Sequence, residues 1–247
     1  MLRIMTMVGL MLVAFTTNNI LFAAPFDAVN NPARSSADRE RDKASKPNAV
    51  LNLAGIQPGM TVLDLFAGGG YYSELLSYAV GPEGRVISQT NAVYESSTGE
   101  EAARRFKDNR LSNVSRVVSE INNLGLEDSS LDMVLLVLVY HDIYFTADYW
   151  PQVDRDNFFR QIRKSLKPGG VLVVIDHSAL ENTGSSAAQD LHRIDEAFAK
   201  QDIESAGFAF DAASDVLRNS NDARTLSVFD EAIRRKTDRF VYRFIKK

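Results

Sequence analysis

"DLFAGGGYYSELL" (64–76) sets three consecutive glycines between an apolar run and a helix-like stretch. Without Cβ atoms, such a loop lets the backbone press against a ligand and takes up positive φ, while the N-terminus of the next helix offers free N–H groups and partial positive charge. Three adjacent glycines also fit a plain tight turn, and a lone glycine-rich loop is weak evidence for a ligand. The surrounding sequence has to decide between these readings.

Outward from that loop, short apolar runs alternate with amphipathic stretches. The runs are "TVLDLF" (61–66), "RVISQT" (85–90), "VSRVVSE" (114–120), "LDMVLLVLVY" (131–140) and "GVLVVIDH" (170–177). Near-continuous Val, Ile and Leu suit parallel strands covered on both faces. Helices are expected over 71–80, 100–111 and 153–166, and strand alternating with helix argues an α/β fold with a mostly parallel sheet and helices on both faces. A helix around 189–206 and a loop region over 207–225 follow. The tail "RFVYRFI" (239–245) puts Phe240, Tyr242 and Phe244 on one face with no later crossover helix, so it reads as a last strand, antiparallel to the rest.

The bulk numbers narrow the function. The 247 residues, 45% hydrophobic and 24% charged, have ordinary globular composition. A formal charge of −4 leaves no basic surplus for a phosphate backbone, so nucleic acid is not expected as a partner. Cys is absent, which removes disulfides, thiolate metal ligands and a Cys nucleophile.

Residues 1–24, "MLRIMTMVGLMLVAFTTNNILFAA", have one Arg, no acid, an apolar core and two alanines before Pro25, the shape of a signal peptide. The expected location is therefore periplasmic or secreted. The alternatives are an uncleaved anchor, for which the run is short against the roughly 20 residues a span needs, or a mis-assigned start on a cytoplasmic protein. Residues 25–46 form a polar arm in which "ADRERDKAS" (37–45) reads as a short exposed helix, and residues 47–247 form one domain with no membrane span of its own.

Asp64 ends an otherwise buried strand, where an unpaired carboxylate would cost several kcal/mol. An acid there, followed by Gly68 and Gly70, resembles the first motif of the class I S-adenosylmethionine-dependent methyltransferases. The resemblance implies a Rossmann-like fold, S-adenosylmethionine as cofactor, and Asp64 near its methionine part, with Gly68, Gly69 and Gly70 as the loop. Phe66 departs from the pattern by standing where the first glycine is expected. "GPEGRVISQTN" (81–91) matches the second strand, but Thr90 or Asn91 holds the place of the acid that binds the ribose hydroxyls. In "SEINNLGLEDSSLDMVLL" (119–136), Glu120 aligns with the adenine-side acid, Ile121 with the residue beside it, and Asp132 with the acid heading the fourth strand. "LKPGGVLVVID" (166–176) matches the family's turn into the fifth strand. "HRID" (192–195), "AGF" (206–208), "LRN" (217–219) and "KTDRF" (236–240) are similar to segments of a bacterial, often exported group of predicted methyltransferases.

Ligands of an open parallel sheet sit beyond the carboxyl ends of its strands. His141 and His177 follow the fourth and fifth strands there, and His141 is the expected general base toward a small-molecule acceptor. The alternative is a structural His bonded to Asp142 or to a backbone carbonyl. The third histidine is His192. Asp142, Asp176 and Asp195 lie near the three in sequence, but no metal-binding spacing such as H-E-x-x-H occurs, and no metal is expected. Tyr72 is placed in an aromatic wall around the sulfonium. Asp38, Arg39, Arg41 and Asp42 read as a solvated charged face, or else as a lid over the cofactor.

Methyl transfer to a small molecule has two rivals. One is a non-catalytic, exported ligand-binding protein on the same fold, suggested by Phe66 and the missing ribose acid. The other is a nicotinamide oxidoreductase, against which the missing acid and the Leu-Lys-Pro-Gly-Gly turn both count. The acceptor and the oligomeric state carry no sequence signature.

Overall fold

The computed structural model describes residues 27–247; the leader expected over 1–24 lies outside the described residues. Two helices, α1 (Ser36–Ser45) and α2 (Pro47–Ala54), lead into β1 (Thr61–Leu65). Next come α3 (Tyr71–Val80), β2 (Arg85–Thr90), α4 (Ala92–Arg105), β3 (Val114–Val118) and β4 (Leu131–Val137). Then follow α5 (Arg155–Ser165), β5 (Leu166–His177), α6 (Ala188–Leu191), α7 (Glu196–Ser205), β6 (Phe208–Ser214) and β7 (Arg239–Lys246).

The seven strands lie in the order β3-β2-β1-β4-β5-β7-β6. β1 to β5 pair in parallel, and β7 runs antiparallel to both β5 and β6. The expected antiparallel tail is thus present, but it enters between two strands rather than closing the sheet. β6 was expected to be loop. The chain moves outward from β1 to β2 and β3 and then crosses back to β4, so strand order reverses between β1 and β4, and the crevice for a ligand opens at their carboxyl ends.

Alternate strand residues feed two cores. Leu63, Leu65, Val134, Leu136, Leu172 and Val174 pack with Phe158, Phe159 and Ile162 of α5 on one face. Val62, Met133, Leu135, Val173 and Ile175 pack with Leu75, Leu76 and Ala79 of α3 on the other. The period of two accounts for runs that are apolar at every position, because both faces are buried. β3 is the exception: it forms the sheet edge, no helix follows it, and Val117 and Val118 are exposed. At the opposite end of the strands, Asp132 accepts from the Thr61 backbone N–H (2.8 Å) and from Lys167 Nζ (2.7 Å), tying the start of β5 to the starts of β1 and β4.

The arm is docked rather than simply solvated. Asp38 is buried and receives the Arg105 guanidinium at 2.6 and 3.1 Å, while Arg34 pairs with Asp42 at 2.6 and 2.8 Å. Tyr71 Oη donates to Asp42 (2.6 Å), and Arg41 lies 4.0 Å above the Tyr71 ring. These contacts hold α1 against the start of α3, beside the glycine loop. Among the described residues no helix is long and apolar enough to cross a membrane.

Candidate active site

The glycine loop joins β1 to α3 at the crevice. Gly68 and Gly70 have φ of +53° and +81°, so both occupy the left-handed region that favours glycine. A Cβ on Gly69 would stand 2.3 Å from the Glu101 carboxyl carbon, and one on Gly70 would stand 2.7 Å from the Phe106 ring. Arg105 Nε also donates to the Gly69 carbonyl at 2.7 Å. The close neighbour that Gly69 and Gly70 admit is therefore α4 and the residue after it, whereas a Cβ on Gly68 would meet only Thr98, at an ordinary 3.7 Å. Phe66, at the place of the missing first glycine, is itself left-handed, at φ +56°, a conformation that imposes strain on a residue with a side chain.

The Phe66 ring offsets that strain by packing 5.8 Å from Tyr94 and 6.3 Å from Trp150, centroid to centroid. Phe66→Gly would relieve about 1 kcal/mol of left-handed strain but forfeit about 3 kcal/mol of aromatic packing. A net loss of about 2 kcal/mol is expected, read as a urea denaturation midpoint lowered by roughly 1 M; an unchanged or raised midpoint would show that strain dominates.

Asp64 is buried at the end of β1 and accepts from Ser73 Oγ at 2.6 Å, and the same hydroxyl bonds Ser88 Oγ at 2.8 Å. Burial pushes its carboxyl up to about 7, against the pull of the Ser73 hydrogen bonds. Tyr72 is buried on α3, edge-on to Tyr71, and burial raises its phenol to about 12.

At the end of β2, Thr90 Oγ1 and Asn91 Nδ2 are buried and have no hydrogen-bond partner. Asn91 Oδ1 is already used: it caps α4 by accepting from the Tyr94 N–H at 2.9 Å. The two orphaned groups can donate to, or accept from, a ribose hydroxyl, so this strand end fits the cofactor's sugar without an acid. Glu120, beyond β3, is exposed and accepts from the Ala92 N–H at 3.3 Å. Ile121 is fully buried in the core beside Leu124. The structure thus brings Asp64, the glycines, Thr90 and Tyr72 to one edge, with Glu120 at its margin.

Beyond β4 and β5 lies a cavity of about 360 Å³. Tyr94, Leu138, Val139, Phe145, Trp150 and Phe229 give it apolar walls, and His141, Asp142, His177 and His192 form its polar end. Cavities of about 420 and 410 Å³ lie elsewhere, one among the paired charges of α1 and α4, the other beside Lys167–Gly170. Neither combines apolar walls with unpaired chemistry at the crevice.

His141 follows β4 in a single 3-10 turn (His141–Ile143). Its backbone N–H donates to Asp176 Oδ2 at 2.7 Å, and its Nδ1 faces both Asp176 oxygens at 2.9 and 3.0 Å. Asp176 also accepts from the His177 N–H at 2.7 Å. The sequence alternative paired this His with Asp142 or a carbonyl; the structure places Asp142 Oδ1 3.3 Å from Nε2 and adds Asp176 as the anchor of Nδ1. Burial opposes protonation of His141, but Asp176 and Asp142 outweigh it and hold the imidazole above its usual value. His177 Nδ1 meets Thr237 Oγ1 at 2.7 Å, and burial drives its pKa well below the usual value. Asp142 is held low despite burial, by His141, His192 and the Tyr94 hydroxyl. Tyr94, Trp150 and Phe229 escaped sequence analysis, because nothing local marks an aromatic as cavity wall rather than core.

A family model described as a methyltransferase domain matches residues 56–207, more than half of the chain. The chain belongs to the methyltransferase-domain family. Its cofactor is S-adenosylmethionine, and the nicotinamide and non-catalytic alternatives find no support. Ubiquinone/menaquinone biosynthesis C-methyltransferase UbiE of Shewanella oneidensis is 27% identical over 144 residues, 58% of this chain and 53% of that protein. The match therefore spans about half the length of the curated relative. A SAM-dependent methyltransferase from Aquifex aeolicus shares the fold with a TM-score of 0.60 at 20% identity, covering 86% of this chain and 98% of that one. An S-adenosylmethionine-dependent methyltransferase from Mesorhizobium loti does so with 0.59 at 13% identity, covering 83% and 100%.

Proposed function

We propose that this methyltransferase transfers its methyl group to a small, apolar, ring-containing acceptor seated in the cavity beyond β4 and β5. The observation that carries this reading is the cavity itself: aromatic and aliphatic walls, with His141 and its buried carboxylate partners at one end. When bound, the cofactor supplies an activated methyl on a positive sulfur, so the protein's task is mainly positioning. Asp64 and the loop of Gly68, Gly69 and Gly70 are assigned to its methionine part, Thr90 and Asn91 to its ribose, and Glu120 to the adenine side. Asp176 fixes the His141 ring, so that Nε2 faces the cavity and activates the acceptor's nucleophile. The relatives named for quinone biosynthesis agree with an acceptor of apolar ring chemistry.

Calorimetric titration with S-adenosylmethionine, S-adenosylhomocysteine and NAD in parallel tests the cofactor half. Micromolar binding of the first two and none of the third is expected; a folded sample that binds neither sulfur ligand would overturn the proposal. Transfer of labelled methyl to hydroxylated aromatic compounds, but not to sugars or amino acids, tests the acceptor class.

A further inference from the structure

The polar end of the cavity holds more than a base. One ligand atom each from His141, Asp142 and His192 lies within 4.8 Å of the others. His141 Nε2 is 3.3 Å from Asp142 Oδ1, and His192 Nδ1 is 3.6 Å from the same oxygen. Ligands held at about 2.1 Å from one ion in tetrahedral or octahedral array stand roughly 3.0–3.5 Å apart. The first separation, 3.3 Å, lies within that range and the second, 3.6 Å, just above it.

The surroundings are built as a metal site requires. His141 Nδ1 is committed to Asp176, which leaves the Nε2 lone pair toward the cluster, the carboxylate–histidine–metal arrangement. The second oxygen of Asp142 accepts from the Tyr94 hydroxyl, and Trp150 Nε1 donates to the Asp142 carbonyl at 3.0 Å, so the carboxylate is fixed as well. Charge points the same way. Asp142 and Asp176 are both buried, and among the described residues only imidazoles pair with them, never Lys or Arg. Buried carboxylates need a cation, and a divalent ion would supply one.

We infer that His141, Asp142 and His192 bind a divalent transition-metal ion, with Asp176 as the positioning residue behind His141. Two imidazoles and one carboxylate suit Zn²⁺, Fe²⁺, Mn²⁺ or Co²⁺ better than Mg²⁺ or Ca²⁺, which favour all-oxygen sets. Three protein ligands leave the remaining positions open toward the cavity, as in catalytic rather than structural sites. Occupancy stands independently of the methyl-transfer reading; the ion's use, as a Lewis acid at the acceptor's end of the cavity, rests on that reading and takes over from His141 as general base, because an Nε2 bound to the ion has no lone pair left for a proton. The sequence hides the trio because His192 reaches the cluster from beyond β5, outside any local spacing.

The test is titration of the chelator-treated full chain with Zn²⁺, followed by calorimetry, and with Co²⁺, followed by visible d–d absorption. One ion per chain is expected, lost in His192→Ala and in Asp142→Asn, each checked for an unaltered far-ultraviolet circular dichroism spectrum. Asp176→Asn should weaken binding about 10–100-fold while leaving the Co²⁺ spectrum's form unchanged. No uptake by folded wild type, or uptake that survives both ligand substitutions, would overturn the inference. S-adenosylmethionine titrated separately shows whether the cofactor reading stands or falls on its own.

Discussion

Arg193→Met is expected to destabilise the protein by about 3–5 kcal/mol, the range for stranding one partner of a buried ion pair. The Arg193 side chain is fully buried and bonds Asp222 through two nitrogens, at 2.8 and 3.1 Å. Its Nη1 also donates to the Ser178 carbonyl (3.0 Å) and its Nε to the Leu226 carbonyl (2.9 Å). Asp222 in turn accepts from the Asp238 N–H at 2.7 Å and the Arg224 N–H at 2.9 Å. One guanidinium thus ties the end of β5 to the long segment between β6 and β7, which has no regular structure to hold it. Methionine fills much of the volume but leaves the Asp222 carboxylate without a counter-ion, since Arg224 is engaged with Asp238 at 2.8 Å. For a chain of this size each kcal/mol moves the melting temperature by about 2–4 °C, so a fall on the order of 10 °C is expected by circular dichroism. Arg193→Met with Asp222→Leu should recover only part of it, because the apolar pair removes the uncompensated charge but leaves the Asp238 and Arg224 N–H groups without their acceptor. A single variant within about 1 kcal/mol of wild type would show that water reaches this pair. The same segment carries Val228 and Phe229 to the cavity wall, so acceptor affinity should fall with stability.

What the sequence revealed, and what it hid, follows from how far each signal reaches. β1, β4 and the 171–175 stretch of β5 were legible because both faces are buried and nearly every position is apolar, and β2 and β3 because their Val and Ile recur between turn residues. The boundaries of α3 were legible because glycines stop it at both ends. β6, "FAFDAAS", was not, because small and polar residues break its pattern and only its pairing with β7, across a register shift, makes it a strand. α4 begins at Ala92 rather than 100, as Asn91, read only as a stand-in for a ribose acid, is also its N-cap. In the site, Asp64 and the glycines were legible as a local motif. The His141–Asp142–His192 cluster and its Asp176 support were not, since their proximity is made by the sheet joining β4 to β5 and by the segment after it. The "HRID" stretch drew notice only by resemblance, and neither the burial of Arg193 nor its Asp222 partner can be read from composition.

Asp64 should make both stability and cofactor affinity depend on pH near neutrality. Its folded pKa of about 7 lies well above the usual aspartate value of 3.8. The folded state therefore binds more protons than the unfolded chain between those limits, and stability rises as pH falls from about 7 toward 4. A shift of three units in a fully buried group corresponds to about 4 kcal/mol, which other titrating carboxylates will partly mask. The difference between wild type and Asp64→Asn isolates it: the two stability curves should diverge across pH 7 to 4 and run parallel outside that window. S-adenosylmethionine carries positive charge on its ammonium and its sulfonium, so at the site assigned to it the ionised carboxylate is the form it prefers. Affinity should then fall about tenfold per pH unit below 7, and binding at pH 6 should release close to one proton per chain, seen as a dependence of calorimetric heat on buffer ionisation enthalpy. Asp64→Asn should lose both the affinity and the proton release. If the variant loses affinity while wild-type binding is flat from pH 5 to 8, Asp64 meets the cofactor already ionised, and the Ser73 hydroxyl and the charge of Arg41 outweigh its burial.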